Sequence, residues 1–393
     1  MFDKYGVRAT PTVMLFAPDG SEVDWHVGYG PPPEKYQERI DNSLKGVDTF
    51  KSLSGLYAKD PKNLEVLFKL AGKQDDLYRT EKAAEFYRQI IALDPEGKGG
   101  TTDYQGEKVS FTQYAEFNLG AGAMSARPPD PAVLQAFIKK YPSGAMVKDA
   151  YMQLSRAYYA QTAPKDQAAV FYAEYAGKYP QDIPALTAWV LRILLDKEPV
   201  DKGIELALKV LELQKAAPRP AGGAPAEKAV LMVPGASMAL NLGRLYGLKG
   251  DKAKALETVD AAAKDIGDNA RMIPTVAQAY LDIGAEDKAL ALYGPEFAKK
   301  NEANATALSG YASFWTRQDK NMDGALAAAQ KAVALAGDVF ANWMTLANVH
   351  LRMKNAAEAV KAADKALEVA PAAGKAVVQK QVELLKARAA AIK

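Results

Sequence analysis

The 393-residue chain has no cysteine and two histidines, His26 and His350, so the side chains that most often carry nucleophilic or metal chemistry are scarce. Without thiols it can form no disulfide, no thiolate nucleophile and no thiolate metal site. His26 stands on a strand-like run with no carboxylate or serine in view to make it a base. His350 falls at a helical core spacing and reads as a packed ring. Asp319-Lys320-Asn321-Met322-Asp323-Gly324 sets Asp, Asn, Asp and Gly at positions 1, 3, 5 and 6 of a calcium loop. Ala327 then takes the ninth position and Gln330 the twelfth, where a bidentate Glu is required, so the stretch reads as a capped turn between helices. Gly97-Lys98-Gly99-Gly100-Thr101-Thr102 lacks the phosphate-loop spacing and follows a helix where a strand is needed, so it reads as an ordinary loop. These residues point to no catalytic centre, no metal and no cofactor.

The elements that would position any site are those of a mixed-charge globular chain. Charged residues make up 25% and hydrophobic ones 49%, and the length implies two or three domains. Fifty basic against forty-seven acidic residues leave little field for gripping nucleic acid or an anionic membrane. No run of about 18 apolar residues offers a membrane span, and the first residues show no signal-peptide pattern.

Near the start, Thr12–Phe16 and a second alternating run from Ser21 to about Tyr29 flank the turn Pro18-Asp19-Gly20 and predict a β-hairpin. Pro31-Pro32-Pro33 ends it, and Glu34–Leu44 reads as an amphipathic helix. The run Tyr5-Gly6-Val7-Arg8-Ala9-Thr10-Pro11-Thr12, with the hairpin, Gly28-Tyr29 and the closing helix, resembles the C-terminal half of a thioredoxin-like domain over residues 1–46. The resemblance implies that Pro11 is a cis-proline and that the Thr10 backbone pairs with an extended substrate. That family's catalytic Cys-x-x-Cys belongs upstream of residue 1, so redox activity is excluded for this chain. The chain is accordingly read as a truncated product or miscalled start, with a degenerate remnant as the alternative. Targeting information would then lie in the missing part, leaving a cytoplasmic or a periplasmic or secreted location equally open.

From about residue 50, Ala, Leu, Lys and Glu dominate at helical spacing, and a repeat emerges. Phe340–Pro371 carries Trp343, Leu346, Ala347, Ala359, Ala363, Ala366 and Pro371 where a tetratricopeptide repeat places its large, small and helix-stopping residues, with His350 in a slot usually held by Tyr. Units beginning at Ala236, Ala270, Thr306 and Phe340 share this pattern, with two extra residues absorbed near Gly294-Pro295. The resemblance implies a mainly α, right-handed solenoid of helix pairs. Looser units read at 64–97 and 148–181 within a helical region 47–215. Residues 216–235 read as a Pro/Gly/Ala linker and a subdomain boundary. Residues 374–393 read as a capping helix.

By resemblance, such an array offers a concave surface lined by first-helix residues, here including Arg244, Arg271, Gln278, Phe314, Arg317, Asn348 and Arg352. Their mixture of Arg, amide and apolar groups suits an extended peptide or a helix of acidic character. The carboxylate-clamp pattern of chaperone-binding members is not met, since Pro274 stands where a base is needed. The expected function is a non-catalytic, chaperone-like scaffold binding protein clients, resembling bacterial thioredoxin–repeat fusions. The alternative is a truncated thiol-disulfide oxidoreductase whose repeats select protein substrates.

Overall fold

A computed structural model describes residues 7, 9–28, 32–160, 162–216, 235–267 and 269–392. Tyr5, Gly6, Arg8, Tyr29, Pro31 and all but the ends of the expected 216–235 linker lie outside the described residues. The chain divides into two units, Met1–Pro180 and Gln181–Lys393.

Unit 1 opens with strands β1 (Thr12–Phe16) and β2 (Glu22–Val27) and helix α1 (Pro33–Leu44). The strands pair antiparallel, Thr12 against Val27 and Met14 against Trp25, with a register shift between Leu15 and Phe16. The Thr10–Pro11 peptide bond is cis. Helices α2 (Phe50–Lys59), α3 (Leu64–Asp76) and α4 (Thr80–Leu93) follow, then strands β3 (Thr101–Tyr104) and β4 (Glu107–Ser110). Helices α5 (Phe111–Met124), α6 (Ala132–Lys140), α7 (Val147–Tyr159) and α8 (Lys165–Lys178) complete the unit. Short polar caps start several of these helices: Thr49 accepts from the Ser52 amide, Asn63 from Val66 and Ser110 from Gln113. Each such cap is worth about 1 kcal/mol. Leu67, Ala71, Ala83, Tyr87, Ile90 and Ala115 form the core where α3, α4 and α5 meet.

The β3–β4 hairpin corrects the reading of 97–102 as a plain loop, because Thr101 and Thr102 open a strand paired with Ser110 and Val109. Its foundation is Asp94, whose carboxylate accepts from the Lys98 and Gly99 amides at 2.9 Å each. Thr112 Oγ1 donates to the Asp94 carbonyl at 2.6 Å, drawing the hairpin back onto the start of α5.

Unit 2 contains α9 (Ile183–Asp196) and α10 (Val200–Ala216), then α11 (Ala236–Lys249) and α12 (Lys252–Ile266). Next come α13 (Ile273–Asp282), α14 (Glu286–Tyr293) and the short α15 (Pro295–Lys300). The pairs α16 (Ala305–Gln318) with α17 (Met322–Leu335) and α18 (Phe340–Arg352) with α19 (Ala356–Glu368) precede the last helix, α20 (Lys375–Ala390). Alanines at Ala255, Ala289, Ala325, Ala329, Ala359 and Ala363 are fully buried, so paired helices approach closely. At Gly243 a methyl group would come within 2.5 Å of Val259 Cγ2. Gly250, at φ +89°, ends α11 and turns the chain into α12.

Packing continues on both sides of residues 217–234. Gly203 of α10 faces Leu245 of α11 so closely that an added Cβ would sit 2.8 Å from Leu245 Cδ2. Helices α9 and α10 thus belong with the repeats that follow, a grouping that Pro/Gly/Ala composition alone did not reveal.

Candidate partner-binding site

Three alternate helices of unit 2, with the turn after the second, bring a set of cations together. Arg317 leaves the last turn of α16, Arg352 ends α18, Lys354 follows in the turn at φ +63°, and Arg388 comes from the last turn of α20. With Ser313, Thr316, Thr345, Asn348, Leu351 and Ile392 they line a cavity of about 670 Å³. Arg352 Nε lies 2.9 Å from Asp319 Oδ1, and both side chains are at least half exposed. Arg317, Lys354 and Arg388 have no ion-pair partner among the described residues. Thr345 links the floor of the cavity to α16, accepting from Ser309 Oγ at 3.0 Å and standing 3.4 Å from Ser313 Oγ. Asn348 Nδ2 donates to the Met344 carbonyl at 2.8 Å, so its amide oxygen remains to accept from a ligand. The cavity thus sets three cations without ion-pair partners among the described residues beside hydroxyls and an amide, groups whose chemistry suits an anion.

The sequence-predicted residues divide between this cavity and two other places. Arg317, Asn348 and Arg352 meet in it, together with Lys354 and Arg388, which sequence reasoning missed. Arg244 and Gln278 belong instead to a polar ladder. Arg244 Nε lies 2.7 Å from Asp282 Oδ2, Gln278 Nε2 donates to Asp282 Oδ1 at 2.8 Å, and Gln318 Nε2 donates to Gln278 Oε1 at 2.5 Å. Arg271 precedes α13 rather than lying on it and is exposed. Phe314 is a correction: it is 2% exposed and packs edge-on against Tyr293 and Trp315, so it presents nothing to a partner. Asp319–Asn321 form the turn from α16 to α17, with Asp319 and Asn321 both at positive φ, and Met322–Gly324 open α17. His350 is buried on α18, and burial holds its pKa below the ordinary value.

His26 needs a larger correction, because it has both a carboxylate, two residues away on the same strand, and a serine that only the fold brings near. Its Nε2 lies 2.8 Å from Ser43 Oγ, and Ser43 Oγ donates to Asp24 Oδ2 at 2.5 Å. Lys73 Nζ reaches Asp24 Oδ1 at 2.6 Å. All of β2 from Asp24 to His26 is buried, because successive side chains meet α1 on one side and α2 and α3 on the other. Trp25 is fully buried, lies 4.6 Å from the Phe50 ring and donates its indole N–H to the Lys73 carbonyl at 2.8 Å. Burial works to raise the Asp24 pKa, and the Lys73 and Ser43 hydrogen bonds outweigh it, so the carboxyl titrates below the usual range. Burial also lowers the His26 pKa, leaving a neutral ring at neutral pH.

That grouping is not a hydrolytic triad. The single Ser43 proton goes to the ionised Asp24, so His26 Nε2–H donates to Ser43, and buried His26 Nδ1 has no partner to orient it as a base. The chain Lys73–Asp24–Ser43–His26 fastens the hairpin and α1 to the helices that follow.

Two-helix units with buried small residues, stepping by roughly one 34-residue period from α11 to α19, give unit 2 a helical-repeat architecture. A family model described as ChAPs (Chs5p-Arf1p-binding proteins) matches residues 255–377, less than half of the chain. No curated protein matches the sequence significantly. Among solved structures, a tetratricopeptide repeat protein from Parabacteroides merdae is 13% identical, covering 70% of this chain and 98% of that one, with a TM-score of 0.39. The APC/C hetero-tetramer Cut9-Hcn1 is 14% identical with a TM-score of 0.34; the match covers 89% of this chain but 59% of that one. The TPR2AB domain of yeast Sti1, solved as a pHSP90 complex, is 14% identical, covering 63% of this chain and all of that one, with a TM-score of 0.26. Among the described residues no helix is long and apolar enough to cross a membrane.

Proposed function

We propose that this protein is a non-catalytic interaction scaffold that binds an acidic, extended segment of a protein partner at the α16–α18–α20 cavity. One observation carries the reading: Arg317, Lys354 and Arg388 line a single cavity with no carboxylate of their own, and Arg352 holds Asp319 only in an exposed pair. An exposed pair is worth at most about 1 kcal/mol, so an incoming carboxylate displaces Asp319 at little cost. The family whose model matches 255–377 is described as binding Arf1p, and the matched stretch contains Arg317, Arg352 and Lys354, which is consistent with a protein ligand. The test is comparative pull-down with the full chain and with Arg317→Glu/Arg352→Glu. Clients lost from the variant support the reading; an unchanged client set moves the site elsewhere.

A second reading concerns residues 1–46, which we propose form a thioredoxin-like segment serving a thiol-disulfide oxidoreductase in a longer parent. A hairpin followed at once by α1 supports it. In-frame coding sequence upstream of Met1 containing Cys-x-x-Cys would favour this reading, and a stop codon there would end it.

A further inference from the structure

A second groove, in unit 1, has the opposite chemistry. Helices α6, α7 and α8 enclose about 530 Å³, within the size of a ligand-binding cleft. Its floor is aromatic and aliphatic: Tyr158 stacks on Phe171 at 4.3 Å and 15°, and Phe171 is 7% exposed. Val170, on the same wall, is 68% exposed. The rim carries Asp166 and Glu174, and no lysine or arginine is among the lining residues. Asp166 has no ion-pair partner among the described residues, and Glu174 accepts a hydrogen bond from the Tyr151 hydroxyl.

We infer that this groove docks an amphipathic helix from a protein partner, one whose apolar face is bordered by Lys or Arg. The two halves of the site decide the occupant between them. A small cation would neutralise Asp166 yet leave Val170 in water, and a purely apolar helix would bring its face against two carboxylates without compensating them. An acidic helix would place like charges together. A helix with aliphatic residues at i, i+3, i+4 and i+7 and basic residues beside them covers Val170 and Phe171 while pairing with Asp166 and Glu174. Recognition here is independent of the cationic cavity in unit 2 and selects the opposite charge.

The test uses the full chain and three labelled synthetic helices followed by fluorescence anisotropy: Leu/Ala/Lys, the same with Glu for Lys, and the same with Ser for Leu. The Leu/Ala/Lys helix should bind, and Val170→Ser and Asp166→Asn should each weaken it about five- to tenfold. Val170→Ser alters an exposed position, and an unchanged thermal melt for both variants confirms that their fold is retained. The Ser-for-Leu helix should bind at least about tenfold more weakly. Binding of the Glu-for-Lys helix should be indifferent to both variants. The inference is overturned if the Leu/Ala/Lys helix fails to bind, if Val170→Ser and Asp166→Asn leave its affinity unchanged, or if either altered helix matches it in a Val170-dependent way.

Discussion

The Lys73 ammonium stands 2.6 Å from Asp24 Oδ1, joining α3 to β2 at a carboxylate that is 1% exposed. Lys73→Met removes the only cation on that carboxylate among the described residues and leaves a buried charge with the Ser43 hydroxyl and the Phe50 amide as its donors. The expected loss is about 3 kcal/mol in the stability of unit 1. Lys69, whose pairs with Asp48 and Glu65 are exposed, should lose less than about 1 kcal/mol on the same substitution. Hydrogen exchange in β2 and α3 reads both, and equal protection in the two variants contradicts the buried-bolt account.

The contributions of His26, His350 and Asp24 to stability should be lost in two stages as pH falls. His26 and His350 titrate in the folded chain below their ordinary 6.5, so the unfolded chain takes up protons first. Their contribution is whole above pH 6.5 and is lost as pH falls toward the lower folded values. Asp24 adds a second loss, beginning near its ordinary 3.8 and continuing as pH falls through its depressed folded value. His350→Tyr should flatten the upper stage in urea melts between pH 7 and 5, and an unchanged slope contradicts the assignment.

Two glycines should respond oppositely to alanine. At Gly177 in α8 nothing lies within 4 Å of an added Cβ, so Gly177→Ala should stabilise unit 1 by up to about 1 kcal/mol through helix propensity. At Gly243 the same methyl meets Val259 Cγ2 at 2.5 Å and the Ala255 carbonyl at 3.3 Å, and Gly243→Ala should cost about 1–3 kcal/mol. Thermal melts of the two variants check the contrast.

The contrast between these glycines also marks what was legible beforehand. Small residues such as Ala325, Ala329 and Ala359 recur at fixed spacing because close helix packing demands them, and that periodicity survives in the sequence. The helix break and the short α15 fall where two extra residues interrupt the period at Gly294-Pro295. The β3–β4 hairpin was not legible, since four-residue strands with polar side chains carry no usable alternation. Phe314 was misplaced because register identifies a helix position but not how far a neighbour such as Tyr293 reaches over it. Lys354 lies in a turn and Arg388 on the last helix, so neither bears the repeat's marks. Ser43 is 17 residues from His26, and only the docking of α1 on β2 brings them together.

The cationic cavity is the central functional claim, and fluorescence anisotropy of a labelled Glu-rich peptide against the full chain tests it most directly. The account expects saturable binding that weakens as salt rises and falls at least about tenfold in Arg317→Glu/Arg388→Glu. Both residues are exposed and lack ion-pair partners among the described residues, so the variant should keep its thermal stability. Equal affinity for the variant and the wild-type chain would contradict the claim.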